Sequence, residues 1–207
     1  KGIWTAKKRY ILNVHDSEGV RYKEPKLKIM GIEAVKSSTP QVCRDKIKEA
    51  LKIIMNEDSK VLNTFIQDFR SDFMKLKPEE IAYPRSVNGL EKFSSSNGMF
   101  AKGAPIHCKG AILYNHLLKT KKLTKKYPLI QEGDKIKFVH LRQPNVYTSS
   151  AFSFITSFPK ELDLKDKIDY DTQFTKSFVE PLKFISEKID WWIDDSYGTQ
   201  GTLDGFF

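Results

Sequence analysis

Cysteine is nearly absent: Cys43 and Cys108 are the only two, far apart and without a Cys-x-x-Cys spacing. That excludes a disulfide framework and a cysteine-built zinc site, and leaves two thiols of the kind buried in a reducing compartment. No apolar run approaches the ~20 residues of a bilayer span, and no signal peptide opens the sequence, so no membrane partner is expected. The four histidines, His15, His107, His116 and His140, have no ligand spacing to one another or to the cysteines, so no metal site is expected in this chain. No internal repeat is evident. Acidic residues are in deficit, 26 against 35 Lys and Arg, for a net charge of +9. Such an excess favours a polyanionic partner, of which nucleic acid is the commonest. A soluble protein that happens to be basic has the same composition.

What is present suffices for a core. Apolar residues make up 40% of 207, with 14 Phe, 8 Tyr and 3 Trp, enough for one large globular domain or a domain with a structured appendage. The first residue is Lys1 and the opening reads as mid-strand, which suggests a piece of a longer polypeptide; a processed chain would look the same.

Tyr10, Leu12 and Val14 alternate with Arg9, Ile11 and Asn13, a strand pattern. Asp16-Ser17-Glu18-Gly19 is a turn signal, and Lys26 to Val35 is a second extended run, so a hairpin with a basic face is expected. Ser37-Ser38-Thr39-Pro40 announces a helix: a hydroxyl cap, then proline in the first turn. Cys43, Ile47, Ala50, Leu51 and Ile54 follow at helical spacing. Ser59 is read as the cap of a second helix whose stripe is Leu62, Phe65, Ile66, Phe69, Phe73 and Leu76, closed by Pro78. Residues 84–104 hold at most a short helix around Val87 to Phe93. A third helix is expected from Pro105 to Leu118, then a lysine-rich connector (Lys119, Lys121, Lys122, Lys125, Lys126). Strands follow at Lys135 to Arg142 and Ala151 to Ile155, and a last helix carries Phe174, Phe178, Leu182, Ile185 and Ile189, kinked at Pro181.

Lys7-Lys8-Arg9-Tyr10, then Glu24-Pro25-Lys26-Leu27-Lys28-Ile29-Met30-Gly31-Ile32-Glu33, then Lys36-Ser37-Ser38-Thr39-Pro40, closely resembles family B DNA polymerases of the T-even bacteriophage type. The match is close over residues 5–56. It continues more thinly in Pro105-Ile106-His107-Cys108-Lys109-Gly110 with Leu113-Tyr114-Asn115, similar to a thumb segment, and in Lys176 to Leu182, similar to a terminal helix. Residues 57–104 and 145–170 carry no recognisable match. The resemblance implies an α+β chain: a mainly helical thumb domain with a small antiparallel β element, preceded by a palm-derived β hairpin. The implied boundaries are a palm edge at 1–36, a thumb at 37–190, a linker at 191–199 and a terminal peptide at 200–207.

The resemblance further implies that Lys7, Lys8, Arg9 and Tyr10 reach the minor-groove edge of primer–template DNA, and that His107 and Lys109 face its phosphates. The chemistry suits the task. Lysine neutralises phosphate or donates to the N3 and O2 acceptors, while a tyrosine hydroxyl both donates and accepts. Those acceptors are common to all correctly paired bases, so such a reader tests pairing without reading sequence. An isolated basic strand is otherwise simply a solvated face. Lys36, Ser37, Ser38 and Thr39 at a helix start form a phosphate site from N–H groups and hydroxyls, beside their ordinary role as a cap.

Gln200-Gly201-Thr202-Leu203-Asp204-Gly205-Phe206-Phe207 fits the clamp-binding pattern Gln-x-x-(Leu/Ile/Met)-x-x-aromatic-aromatic. One helical turn sets Leu203 and Phe206 on one side as a plug, with Gln200 hydrogen-bonding and Phe207 adding apolar area. A sliding clamp is the partner this implies; a tail folded back on its own domain is the alternative. The family's catalytic motifs, Tyr-x-Asp-Thr-Asp and Asp-x-x-Ser-Leu-Tyr, do not occur, and Asp190, Asp194 and Asp195 are not substitutes. No catalytic residue and no cofactor is therefore expected here. Magnesium belongs to the complete polymerase, whose remainder is attached covalently or as a split subunit, in the cytoplasm of an infected bacterial host. A different class of reading is a non-enzymatic, clamp-associated, nucleic-acid-binding adaptor. A stand-alone nuclease lacks any ligand cluster to support it.

Overall fold

The computed structural model describes residues 1–95 and 100–194; the expected clamp-binding peptide at 200–207, and linker residues 195–199, lie outside the described residues. The described chain is α+β, as expected. It divides into two compact units, one of Lys1–Lys75 together with the chain from Phe174 onward, the other of Leu76–Gln173.

In the first unit β1 (Gly2–Ala6), β2 (Arg9–Ser17) and β3 (Val20–Met30) form an antiparallel sheet in sequence order. Of the alternating residues only Ile11 is in the core, with its register partner Ile3; Tyr10, Leu12 and Val14 are half-buried. The opposite face carries Trp4, Tyr10 and Met30 in one cross-strand row. Glu18 and Gly19 both have positive φ (55° and 78°), the conformation a two-residue turn needs to match strand twist. Pro25 is tolerated because β3 is an edge strand with no further ladder to feed.

α1 (Gln41–Asn56) and α2 (Ser59–Phe73) bury most of the stripes read from the sequence: Cys43, Ile47, Ala50, Leu51 and Ile54, then Leu62, Ile66, Phe69 and Phe73, while Phe65 is half-buried and Leu76 lies past the end of α2. The cap of α2 differs from the expectation. Asp58, not Ser59, stands at the N-cap and its carboxylate accepts from the Val61 N–H at 3.0 Å, since an anion there also meets the positive end of the helix dipole. At α1 the N-cap position is Pro40, with no side-chain cap, so the hydroxyls of Ser37 to Thr39 lie just before the helix.

Phe174 and Phe178 close this core against Phe69 and Phe73. Phe69 is edge-on to Phe178 at 4.7 Å, and Phe73 meets Phe174 at 5.2 Å. Such pairs contribute about 0.5–1.5 kcal/mol each beyond the area they bury. The buried Cys43 thiol donates to Ser177 Oγ at 3.3 Å, and burial pushes its pKa up to about 12 despite that bond, so it is inert.

The second unit contains α3 (Pro78–Ile81), β4 (Tyr83–Ser86), α4 (Leu90–Phe93), α5 (Ile106–Thr120), β5 (Lys135–His140) and β6 (Ala151–Phe154), with the strands antiparallel in the order β4-β5-β6. Pro78 opens α3; it does not close α2, which ends at Phe73. α5 packs on β6 so closely that a Cβ on Gly110 would lie 2.5 Å from Ser153 Oγ and 2.8 Å from the Ser153 nitrogen. Only glycine permits that approach. The buried Gln173 side chain ties the unit together, donating to the Ile81 carbonyl at 2.7 Å while its oxygen accepts from the His140 N–H at 3.0 Å. A final helical stretch begins at α6 (Tyr170–Phe174), passes through a π turn at Thr175–Val179 and α7 (Glu180–Ser186), and ends in a 3-10 turn at Glu187–Ile189.

Candidate nucleic-acid interface

Ala6 pairs with Arg9 across β1 and β2, which leaves Lys7 and Lys8 as the whole of the connecting turn. The four-residue basic motif is therefore not a strand throughout: Lys7 and Lys8 are exposed in the turn, and only Arg9 and Tyr10 begin β2. Lys8 adopts φ +62°, uncommon for a residue with a side chain. The turn is held in place from below. Gly31, itself at φ +67°, comes so near that a Cβ on it would sit 2.2 Å from the Lys8 carbonyl oxygen and 3.0 Å from Arg9 Cγ. The glycine of the Lys-Ile-Met-Gly segment thus seats the lysine turn.

Tyr10 is half-buried, its ring tilted against Trp4 at 6.2 Å. Trp4 is 62% exposed and Met30 42%, so an apolar row borders the lysines. Arg9 behaves differently from its neighbours. Its Nη2 donates to Glu33 Oε2 at 3.0 Å, its guanidinium lies 4.8 Å from the Phe184 ring centroid, and its Nε is buried without a partner.

The other oxygen of Glu33 accepts from Lys36 Nζ at 2.8 Å. Burial pushes the Glu33 carboxyl up, but the Lys36 hydrogen bond and the nearby Arg9 and Lys36 charges outweigh it and hold the pKa below the ordinary value. The carboxylate is thus ionised at neutral pH. One acidic side chain connects the hairpin that bears Lys7 and Lys8 to the corner that leads into α1. In that corner Ser37 is exposed, Ser38 half-buried and already engaged, and Thr39 buried with its N–H donated to the Lys36 carbonyl at 3.1 Å. The sequence shows no signal for Glu33, because its two partners lie 24 positions before it and three after it.

His107 and Lys109 belong to the second unit, in the first turn of α5, and both are half-buried. Burial, and then the charge of Arg85, push the His107 pKa down against a raising hydrogen bond with the Ser86 backbone, so the imidazole is neutral at pH 7. Arg85 carries the local charge. Its guanidinium lies over Tyr83 and Phe138, 5.5 and 5.8 Å from their centroids, and its Nη1 donates to the Pro84 carbonyl at 2.8 Å. No motif marks Arg85; only the pairing of β4 with β5 reveals it. In the lysine-rich connector, Lys126 is ion-paired with Glu161, which also accepts from the Tyr127 hydroxyl at 2.8 Å. Lys119, Lys121, Lys122 and Lys125 are exposed.

Gln200, Leu203, Phe206 and Phe207 lie outside the described residues. Before them, Asn63 on α2 holds the Trp192 carbonyl at 3.1 Å and the Asp194 N–H at 3.1 Å. Among the described residues no helix is long and apolar enough to cross a membrane. Among them no three His, Cys, Asp or Glu side chains converge.

No family model matches the chain. It is 31% identical to the DNA-directed DNA polymerase of Enterobacteria phage T4 over 210 residues, covering 100% of this chain and 22% of that protein. It is 35% identical to the DNA-directed DNA polymerase of Escherichia phage RB69 over 197 residues, covering 92% of this chain and 21% of that protein. The chain spans about a fifth of the length of these curated relatives.

Proposed function

We infer, for a chain related along its whole length to the DNA polymerases of T-even-type phages, that it is the duplex-gripping part of a replicative DNA polymerase acting in the infected host cell. In this reading 1–36 is the edge of the palm and 37–190 the thumb. Lys7, Lys8 and Tyr10 meet the minor-groove side of newly copied primer–template, the lysines neutralising the phosphates that border it, with Arg9 beneath them. Lys36 and the Ser37 hydroxyl meet phosphates, with Ser38 at their edge, as do His107 and Lys109 on the other unit; Thr39, expected with them, is only 5% exposed and packs within the protein instead. Nucleotide transfer and its magnesium ions reside on polypeptide beyond this chain.

The observation that carries this reading is the exposed lysine turn seated on Gly31 and joined through Glu33 to the Lys36 corner. It gathers exposed cations on one unit, and neutralising phosphates with such cations is what drives sequence-independent binding to duplex. The chain should therefore bind primer–template duplex irrespective of sequence, with log K falling linearly with log salt at a slope of about −0.9 per phosphate neutralised. Fluorescence anisotropy between about 50 and 200 mM salt measures it; an affinity indifferent to salt over that range would overturn the reading.

The tail from Gln200 to Phe207 is proposed to dock on the sliding clamp, where tethering raises the local concentration of the polymerase at DNA. Phe206→Ala with Phe207→Ala should abolish clamp binding in a pull-down while duplex affinity stays within about twofold, because aromatic anchors dominate small interfaces. Loss of both together would make the tail structural. Clamp binding in a wild-type chain with no duplex affinity would select the adaptor reading.

A further inference from the structure

The reading above identifies cations that face DNA but not what fixes their spacing. Glu33 is placed to do so. Its Oε2 receives Arg9 Nη2 at 3.0 Å and its Oε1 receives Lys36 Nζ at 2.8 Å. Glu33 and Arg9 side chains are 22% and 27% exposed, Lys36 42%. The carboxylate and the guanidinium are thus set within the protein while the ammonium stands at the rim. Arg9 cannot easily turn away: Phe184 covers its guanidinium at 4.8 Å, and its Nε is already buried. Arg9 also directly follows the Lys7–Lys8 turn, and Gly31 presses on the Lys8 carbonyl from two residues before Glu33. A lysine ammonium has three donors. The bond to Glu33 uses one, which leaves two for an incoming oxyanion.

We propose that Glu33 is a positioning residue of the DNA grip: its two carboxylate oxygens lock Arg9 under the lysine turn and aim Lys36 at the phosphodiester backbone. This rests on the duplex-gripping reading of the same site. An acidic side chain beside a polyanion ordinarily weakens binding by repulsion. Here its removal weakens binding.

Four chains decide it: wild type, Glu33→Gln, Glu33→Asp and Glu49→Gln. Glu49 lies on α1, paired with Lys46 at 2.9 Å, and the Glu49→Gln change adds the same unit of charge without touching the grip. Each is titrated with primer–template duplex at several salt concentrations, well below the melting temperature measured for that variant. Glu33→Gln should bind about tenfold more weakly than wild type near 50 mM salt, with a salt slope shallower by about one, the signature of one lost phosphate contact. Glu33→Asp keeps the charge but is one methylene too short to reach both partners, and should show the same loss. Glu49→Gln should bind at least as well as wild type. Equal or tighter binding by Glu33→Gln than by Glu49→Gln, or wild-type binding by Glu33→Asp, overturns the positioning role and leaves the grip itself standing. No duplex binding by wild type and Glu49→Gln alike removes the grip, and the role of Glu33 with it.

Discussion

Replacing Lys7 and Lys8 together with alanine is expected to weaken primer–template binding by about 200-fold near 50 mM salt and about 20-fold near 200 mM. The figures follow from two phosphate contacts, each contributing roughly 0.9 of a decade in affinity per decade of salt dilution below 1 M. Both residues are exposed in the turn, so the fold should survive; surface substitutions of this kind ordinarily stay within about 0.5 kcal/mol. The slope of log K against log salt should fall by about two. A loss of affinity at constant slope would show instead that the lysines donate to base edges and neutralise no phosphate. Anisotropy titrations of the double variant measure both quantities, and binding within twofold of wild type at low salt would remove these lysines from the interface.

Gly31→Ala is expected to be as damaging to binding, and costly to the fold as well. A methyl there would need a φ of +67° and would sit 2.2 Å from the Lys8 carbonyl oxygen. The left-handed conformation alone costs about 1–2 kcal/mol, and relieving the overlap forces the turn to move at a further cost of about 1–3 kcal/mol. The first unit should unfold at lower denaturant in a tryptophan-fluorescence titration. The surviving folded protein should bind duplex about as poorly as the Lys7, Lys8 double variant. Adding those two substitutions to Gly31→Ala should then lose little more, because residues acting through one contact are not additive. Full additivity would mean that Gly31 supports the fold and not the turn.

The long amphipathic stripes were the most legible part of the sequence, since helical spacing survives whatever packs against it. Cys43, Ile47, Leu51 and Ile54, like Leu62, Ile66, Phe69 and Phe73, are all buried. The hairpin was legible from alternation and the Asp16–Gly19 turn, but its second strand, expected over Lys26 to Val35, runs Val20–Met30, and Glu33–Val35 is a short helical turn. Short elements were legible unevenly: α4 and β6, four residues each, lie where expected, and β4 was missed. β4 has four residues, one of them Pro84, and reads as loop because proline is foreign to strands except at an edge. At the C-terminal helix, the proline expected to kink it is Pro181 in the first turn of α7. The disturbance lies just before it, where the Glu180 N–H reaches back to the Thr175 carbonyl in a π turn. Pro181 has no N–H for the Ser177 carbonyl, and the wider turn absorbs that gap.

At the interface the residue types were legible and their division of labour was not. Lys7-Lys8-Arg9-Tyr10 looks uniform in sequence, yet pairing of Ala6 with Arg9 puts the lysines in solvent and the arginine under them. Which of two neighbouring cations is spent on the protein depends on strand register and on a carboxylate 24 positions away. Arg85 beside His107 is hidden for the same reason.

The chain leaves its first unit at Lys75 and re-enters it at Phe174, and this orders events during synthesis. On the ribosome, α1 and α2 emerge with Phe69 and Phe73 uncovered, because Phe174 and Phe178 have not yet been made. The intervening unit is continuous and can complete its own core first. Until the last aromatic pair arrives, the nascent N-terminal segment exposes a sticky surface. A stalled or truncated translation product ending before Phe174 should therefore be the form that chaperones capture.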